Sequence, residues 1–123
     1  MDRRKIGQHY EELAGRYLEQ RGLQLIERNY NCRYGEIDLV MLDGDFLCFI
    51  EVKFRKNGLF GGSAYSLPIG KQQKIARSAQ DFISRHRRYR DHPMRFDAVL
   101  LEDGPQATDH PSVNWIRNAF DGE

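Results

Sequence analysis

A single mixed α/β domain is the fold class this sequence predicts, and three observations predict it. The chain has 123 residues, the length of one domain. Helical and strand-like periodicities alternate along it, in the order helix, three strands, helix, one or two strands. A helix that intervenes between strands permits a parallel crossover, so a mixed sheet carrying helices is the natural way to close the layers.

Each element has its own signal. Over 5–21, Ile6, Tyr10, Leu13, Ala14, Tyr17 and Leu18 recur at helical spacing, and Gly22 ends the pattern as a C-cap. Residues 23–29 read as a first strand. Residues 35–42 and 45–54 read as two more, joined by Asp43-Gly44-Asp45, a glycine-bearing link short enough for a hairpin turn. Residues 56–68 hold three glycines and a proline and read as a mobile loop, with Phe60 placed to close over a substrate or merely to connect. Residues 70–90 read as a second long helix, 95–102 as a fourth strand, and the tail at 112–116 as a fifth, with Trp115 packed on the body.

Composition narrows the function classes. The 40% apolar fraction supports one modest core, while the 30% charged fraction and a mean hydropathy of −0.71 describe a water-soluble chain. The longest apolar run, Phe46–Ile50, is far short of the ~20 residues of a membrane span. The N-terminus is basic but has no apolar segment behind it, so a secretory signal is not expected. Cys32 and Cys48 form no C-x-x-C pair and have no histidine at zinc spacing, which suits reduced thiols in a cytoplasmic protein. The net charge is +1, but residues 36–55 carry −3 and residues 66–95 carry +6. An acidic cluster beside a basic segment suits a metal site next to a polyanion; it equally suits opposite charges on different faces of an ordinary surface.

The chemistry concentrates in the second and third strands. Side chains alternate faces along a strand. In 45–54, Phe46, Cys48, Ile50, Val52 and Phe54 share one face, while the other reads Leu47, Phe49, Glu51, Lys53, beginning apolar and ending charged. In 35–42, Ile37, Leu39 and Met41 share a face, and Glu36, Asp38, Val40 and Leu42 the other. With a turn at Asp43-Gly44, Asp38 is the diagonal neighbour of Glu51; with a turn at Gly44-Asp45, it lies directly opposite. Either register puts both carboxylates on one face, with β-carbons roughly 5–8 Å apart. Two carboxylates so close repel unless a hard cation such as Mg²⁺ (or Mn²⁺) neutralises them. Lys53 projects to the same side, where an amine can orient or deprotonate a water, or stabilise charge on a phosphate. Glu-x-Lys alone is commonly a surface ion pair. The longer Asp-(x)12-Glu-x-Lys spacing across a tight hairpin is much less common.

The second helix adds a basic stripe. At about 100° per residue, Lys71, Lys74, Arg77, Arg85 and Arg88 fall within roughly a third of the circumference, beside an apolar arc of Ile75, Ala79, Phe82 and Ile83. That stripe either tracks a phosphate backbone or is a solvated face. Lys71, at the helix start, is the best single candidate for phosphate contact, with Lys74, Arg77 and Arg55 as further nucleic-acid contacts.

The run Gly35-Glu36-Ile37-Asp38, followed by Glu51-Val52-Lys53-x-Arg55, resembles the YraN family of small bacterial proteins. That family is itself similar to archaeal Holliday-junction resolvases of the PD-(D/E)XK nuclease superfamily. The likeness runs from Gly7-x-x-x-Glu11-x-x-Ala14 through Asn29-Tyr30 to Arg95-Phe96-Asp97 and Asn118-Ala119-Phe120. It implies a restriction-endonuclease-like mixed sheet flanked by helices, with Asp38 and Glu51 as metal ligands and Lys53 as the catalytic lysine. It also implies that Glu11 reaches the same ion or a second one; without the family, Glu11 reads as a solvated helix residue. Glu36 sits either at the rim of the site or on the surface before the strand. Phe54 stands where threonine is common, and Ser66-Leu67-Pro68-Ile69 replaces a more usual Val-Thr stretch. Three functions compete: a Mg²⁺-dependent endonuclease acting on DNA, branched junctions among its candidate substrates, a nucleic-acid-binding module of the same fold with weak or no activity, and a protein-interaction domain. Junction resolution needs two symmetric cuts, for which a two-fold homodimer is the natural assembly.

Overall fold

The computed structural model describes residues 3–55, 66–103 and 111–122, with the backbone alone at Arg3. Its elements are α1 (Arg3–Glu19), β1 (Gln24–Cys32), β2 (Gly35–Asp43), β3 (Phe46–Arg55), α2 (Ile69–Arg85), a 3-10 turn at Arg87–Tyr89, β4 (Met94–Glu102) and β5 (Ser112–Phe120). The expected loop at 56–68 lies, over 56–65, outside the described residues.

One sheet runs in the order β1-β2-β3-β4-β5. Neighbours are antiparallel except β3 and β4, which are parallel and joined through α2. The mixed α/β architecture expected from the order of elements is therefore the one observed. Each face of the sheet buries one helix. On one face, Ile75, Ala79 and Phe82 of α2 pack with Tyr30, Ile37, Val40, Leu47, Phe49 and Phe96. On the other, Ala14 and Leu18 of α1 pack with Leu39, Met41, Cys48, Ile50, Val99 and Leu101.

The ends of the elements follow from local chemistry. Gly22 adopts φ +96°, a conformation open to glycine. The Leu23 N–H then donates to Leu18 O (3.1 Å) and the Gly22 N–H to Glu19 O (3.0 Å), which closes α1 in a Schellman motif. Leu18 and Leu23 meet in the core beneath it. The second helix is shorter than the periodicity suggests. It stops at Arg85, and the 3-10 turn after it brings Tyr89 back to stack on Phe82. The turn between β2 and β3 is Gly44-Asp45, with Asp43 paired to Phe46 and Gly44 at φ +59°. Of the two registers the hairpin allows, this is the one that sets Asp38 opposite Glu51.

The tail strand is longer than expected, and a buried carboxylate explains how it is held. Asp97 on β4 is 1% exposed and accepts hydrogen bonds from Arg95 Nε (2.9 Å) and Nη2 (2.9 Å), Trp115 Nε1 (3.0 Å) and the Asn118 N–H (3.0 Å). Arg95 also reaches Asp43 at 2.8 Å. The Arg95-Phe96-Asp97 and Asn118-Ala119-Phe120 motifs thus form one assembly. Its polar half is this network, and its apolar half is Phe96 stacked on Phe120 (4.8 Å between centroids).

Candidate functional site

Backbone pairing between β2 and β3 runs from Asp43↔Phe46 to Leu39↔Ile50 and stops there. At the next rung the Val52 N–H donates to Asp38 Oδ2 (2.8 Å), so a carboxylate takes the place of a backbone carbonyl. Beyond that point Glu36 and Ile37 pair only with β1, and Glu51–Arg55 only with β4. The sheet is split between its second and third strands at this end.

The same rung is irregular on its other side. Asn29 would be the β1 partner of Asp38, yet the register passes from Arg28↔Leu39 to Tyr30↔Ile37, and Asn29 adopts φ +54°. Asparagine tolerates this left-handed conformation better than most residues. The consequence is a break in alternation. Leu39 and Met41 face α1, whereas Ile37 faces α2, so the single face expected for all three does not hold.

Residues from both layers meet in the split. A cleft of about 360 Å³ is lined by Ile6, Gly7, Tyr10 and Glu11 of α1, Glu36 and Asp38 of β2, Glu51, Val52, Lys53 and Phe54 of β3, and Lys71 of α2. Tyr10 stacks on Phe54 at 3.8 Å between centroids and forms an apolar wall. Asp38, Glu51 and Glu11 are buried, at 8%, 8% and 9% exposure.

The charges are arranged in two groups. Glu51 Oε1 is 2.8 Å from Lys71 Nζ and 3.5 Å from Lys53 Nζ. Among the described residues, the trio Glu11, Glu36 and Asp38 has ligand oxygens all within 4.8 Å of one another. Burial, with the Glu51 charge next in weight, pushes the Asp38 acid up to about 8. Burial also raises Glu11, against a lowering hydrogen bond from Asn29. Hydrogen bonding to Lys71, then burial, holds Lys53 below the ordinary lysine value. Burial works against the Lys71 ammonium, but its hydrogen bonds to Glu51 and Lys53 outweigh that and raise it. Of the two amines, Lys53 is thus the readier to give up its proton.

The donor set suits a hard divalent cation. Mg²⁺ takes carboxylate oxygens and keeps several waters, and carboxylates supply every candidate ligand here. Glu11 Oε1 is one of two buried side-chain atoms without a hydrogen-bond partner among the described residues, the other being Asp103 Oδ1 at the end of β4. A bound ion satisfies such an oxygen at no cost in protein hydrogen bonds.

Other residues singled out in the sequence lie elsewhere. Arg55, Lys74 and Arg77 are exposed and do not line this cleft. Arg77 borders a separate cavity with Tyr34, Gln80, Asp81 and Ser84. Two features escaped the sequence pattern: the left-handed Asn29 behind Asp38, and the closeness of Glu36 to Glu11. Asn29 ends the first strand as read from the sequence, and an asparagine, tolerant of the left-handed region, is the signal that could have marked the irregular rung.

A mixed sheet clasped between two helices and split at one rung to gather four carboxylates and two lysines defines a small single-domain α/β protein with a built acidic cleft. The chain belongs to the uncharacterised protein family UPF0102, whose family model matches residues 10–101, a span that includes Glu11, Glu36, Asp38, Glu51, Lys53 and Lys71. This is the YraN family to which the motifs pointed. It is 48% identical to a UPF0102 protein of Stutzerimonas stutzeri (strain A1501), over 94% of this chain and 93% of that protein. It is 42% identical to one of Pseudomonas syringae pv. tomato, over 97% and 94%. A Nitrosomonas eutropha relative is 44% identical over 94% and 92%.

Proposed function

We propose that the protein is a metal-dependent endonuclease of the restriction-endonuclease-like, PD-(D/E)XK type, hydrolysing phosphodiester bonds in DNA, with branched DNA as its preferred substrate. The observation that carries this reading is the convergence of Asp38, Glu51 and Lys53 with Glu11 in one cleft. A Mg²⁺ or Mn²⁺ held there by carboxylates would polarise a phosphoryl oxygen and acidify a bound water. The chain's own residues do the rest. Asp38 is fixed by the Val52 N–H, so its remaining lone pairs face the cleft. Lys53, the readier of the two amines to lose its proton, is in its neutral form the acceptor for the attacking water's proton. Lys71 keeps its charge and supports both Glu51 and the phosphate. The Tyr10–Phe54 stack limits water on one side.

The test is a cleavage assay on four-way junction, flap, duplex and single-stranded DNA with Mg²⁺ or Mn²⁺. Cleavage of branched substrates is expected, and Lys53→Ala should lower the rate by about 10²–10⁴-fold. Absence of cleavage on all four substrates by the parent protein, with DNA binding retained, would replace this reading with that of a binding module. Binding that hardly responds to salt would point to a protein partner.

A further inference from the structure

We infer that the flank of α2 beside the β1–β2 turn, carrying Arg33, Lys74 and Arg77, is a track for the phosphate backbone of a duplex arm lying outside the cleft. The inference deepens the proposed function and rests on it only in requiring a nucleic-acid substrate. The basic stripe read from the sequence runs along the second helix alone, and the folded chain regroups it. Arg85 is drawn out of it, with Nε 3.1 Å from Asp81 Oδ2. Arg33 joins it from the turn, its guanidinium 4.8 Å from the centre of the Tyr34 ring. Tyr34 and Arg77 line one cavity of about 380 Å³ with Gln80, Asp81 and Ser84. Gly35 lets the turn lie against the helix: at its φ of +146°, a Cβ would come to 3.7 Å from Ser78 Oγ and 3.9 Å from Lys74 Cβ.

The charges on this flank are available to an outside anion. Among the described residues, Arg33, Lys74 and Arg77 are exposed and form no salt bridge. The carboxylate beside them, Asp81, already accepts hydrogen bonds from the Tyr30 hydroxyl and from Arg85. The flank is also continuous with the cleft. Lys71 lines the cleft. Lys74 and Arg77 follow at three-residue steps, each about 4.5 Å further along the axis of α2. Gly35, packed on Lys74, is followed directly by Glu36 at the cleft's edge. A backbone leaving Lys71 therefore meets a cation at each step away from the cleft. A protein partner would call for an apolar centre to the interface. The exposed large hydrophobics among the described residues, Ile6, Phe46 and Ile69, do not line this cavity. Charge without apolar surface fits a polyanion, whose binding is driven by release of its counterions.

The experiment is anisotropy titration of a labelled linear duplex with the full-length chain in EDTA, over a range of KCl concentrations. It compares the parent protein with two double variants, Arg33→Ala with Arg77→Ala, and Arg21→Ala with Arg117→Ala. The second removes the same charge from two exposed sites elsewhere, the turn after α1 and β5. The parent is expected to bind, with affinity falling steeply as salt rises. Loss of Arg33 and Arg77 should weaken binding about tenfold at low salt and make the slope of log affinity against log salt shallower by about 2. Loss of Arg21 and Arg117 should leave affinity within about twofold of the parent, since charges away from the DNA are screened. Thermal unfolding checks that each variant is folded. The inference is overturned if the two double variants bind alike, if the first keeps the parent's slope, or if the parent does not bind the duplex. Cleavage is read separately in Mg²⁺. A protein that binds in this pattern yet leaves DNA intact refutes the nuclease reading and leaves the track standing, while cleavage with an unchanged slope does the reverse.

Discussion

Burial and the Glu51 charge push the Asp38 acid from its ordinary value of 3.8 up to about 8, and the sign of the consequence is fixed. Above about pH 4 the unfolded chain releases this proton while the folded chain retains it, so folding stability drops as pH rises through the window up to about 8. In EDTA the melting temperature should therefore fall by several degrees between about pH 5 and 8 through this group. Asp38→Asn should flatten that fall, because the amide oxygen can still accept from Val52 and carries no charge. A variant whose profile matches the parent's would contradict the assignment. On the proposed function, metal and proton compete for the same oxygens, so Mn²⁺ affinity should rise over the same range. At this scale the sequence was informative about identity and silent about surroundings. Alternation marked Asp38, Glu51 and Lys53 as neighbours, but the partnership of Glu51 with Lys71 joins residues on separate elements, and no local pattern encodes it.

The split between β2 and β3 and the network around Asp97 are features of elements rather than of residues. Asp97 is a fully buried carboxylate with four hydrogen bonds from three residues, and one of those residues, Arg95, is itself mostly buried. Removing one partner of such a pair leaves an uncompensated charge, so Asp97→Ala should cost about 3–5 kcal/mol in urea unfolding. Trp115→Phe, which deletes one donor to the carboxylate, should cost about 1.5–3 kcal/mol. A loss under about 1 kcal/mol for Asp97→Ala would show that β5 is held chiefly by Phe96 and Phe120. Helix and strand identities followed from periodicity because each element has one buried side. The boundaries that departed did so for tertiary reasons. β5 extends to Phe120 through Arg117, whose guanidinium lies over Trp115, and Asn118, whose N–H is held by Asp97 across the sheet. α2 ends early because Tyr89 packs on Phe82 by way of a tighter turn.

Across the whole molecule, a net charge of +1 gives little long-range attraction for a polyanion. What DNA would meet at the cleft is four carboxylates and two lysines. On the proposed function, occupancy of the carboxylates by a cation decides the local sign, so DNA affinity should depend on the metal. Labelled junction DNA is expected to bind several-fold more tightly in Ca²⁺ than in EDTA at the same ionic strength, and to weaken steeply as salt rises. Equal affinity in both buffers would place the DNA-binding surface away from the cleft, on the exposed face of α2 that carries Lys74 and Arg77. The sequence shows no surface for a two-fold assembly, since pairing of surfaces leaves no periodic signature.

The hydrogen bond from the Val52 amide to Asp38 has a practical consequence. In most of a sheet, an amide reports only on whether the strands are zipped. Here one backbone proton is coupled to the charge of a single side chain. Its resonance in a ¹⁵N-labelled sample becomes an internal gauge, tracking deprotonation in chelator and, on the proposed function, ion loading in Mn²⁺-free, Mg²⁺-containing buffer, with no substrate required.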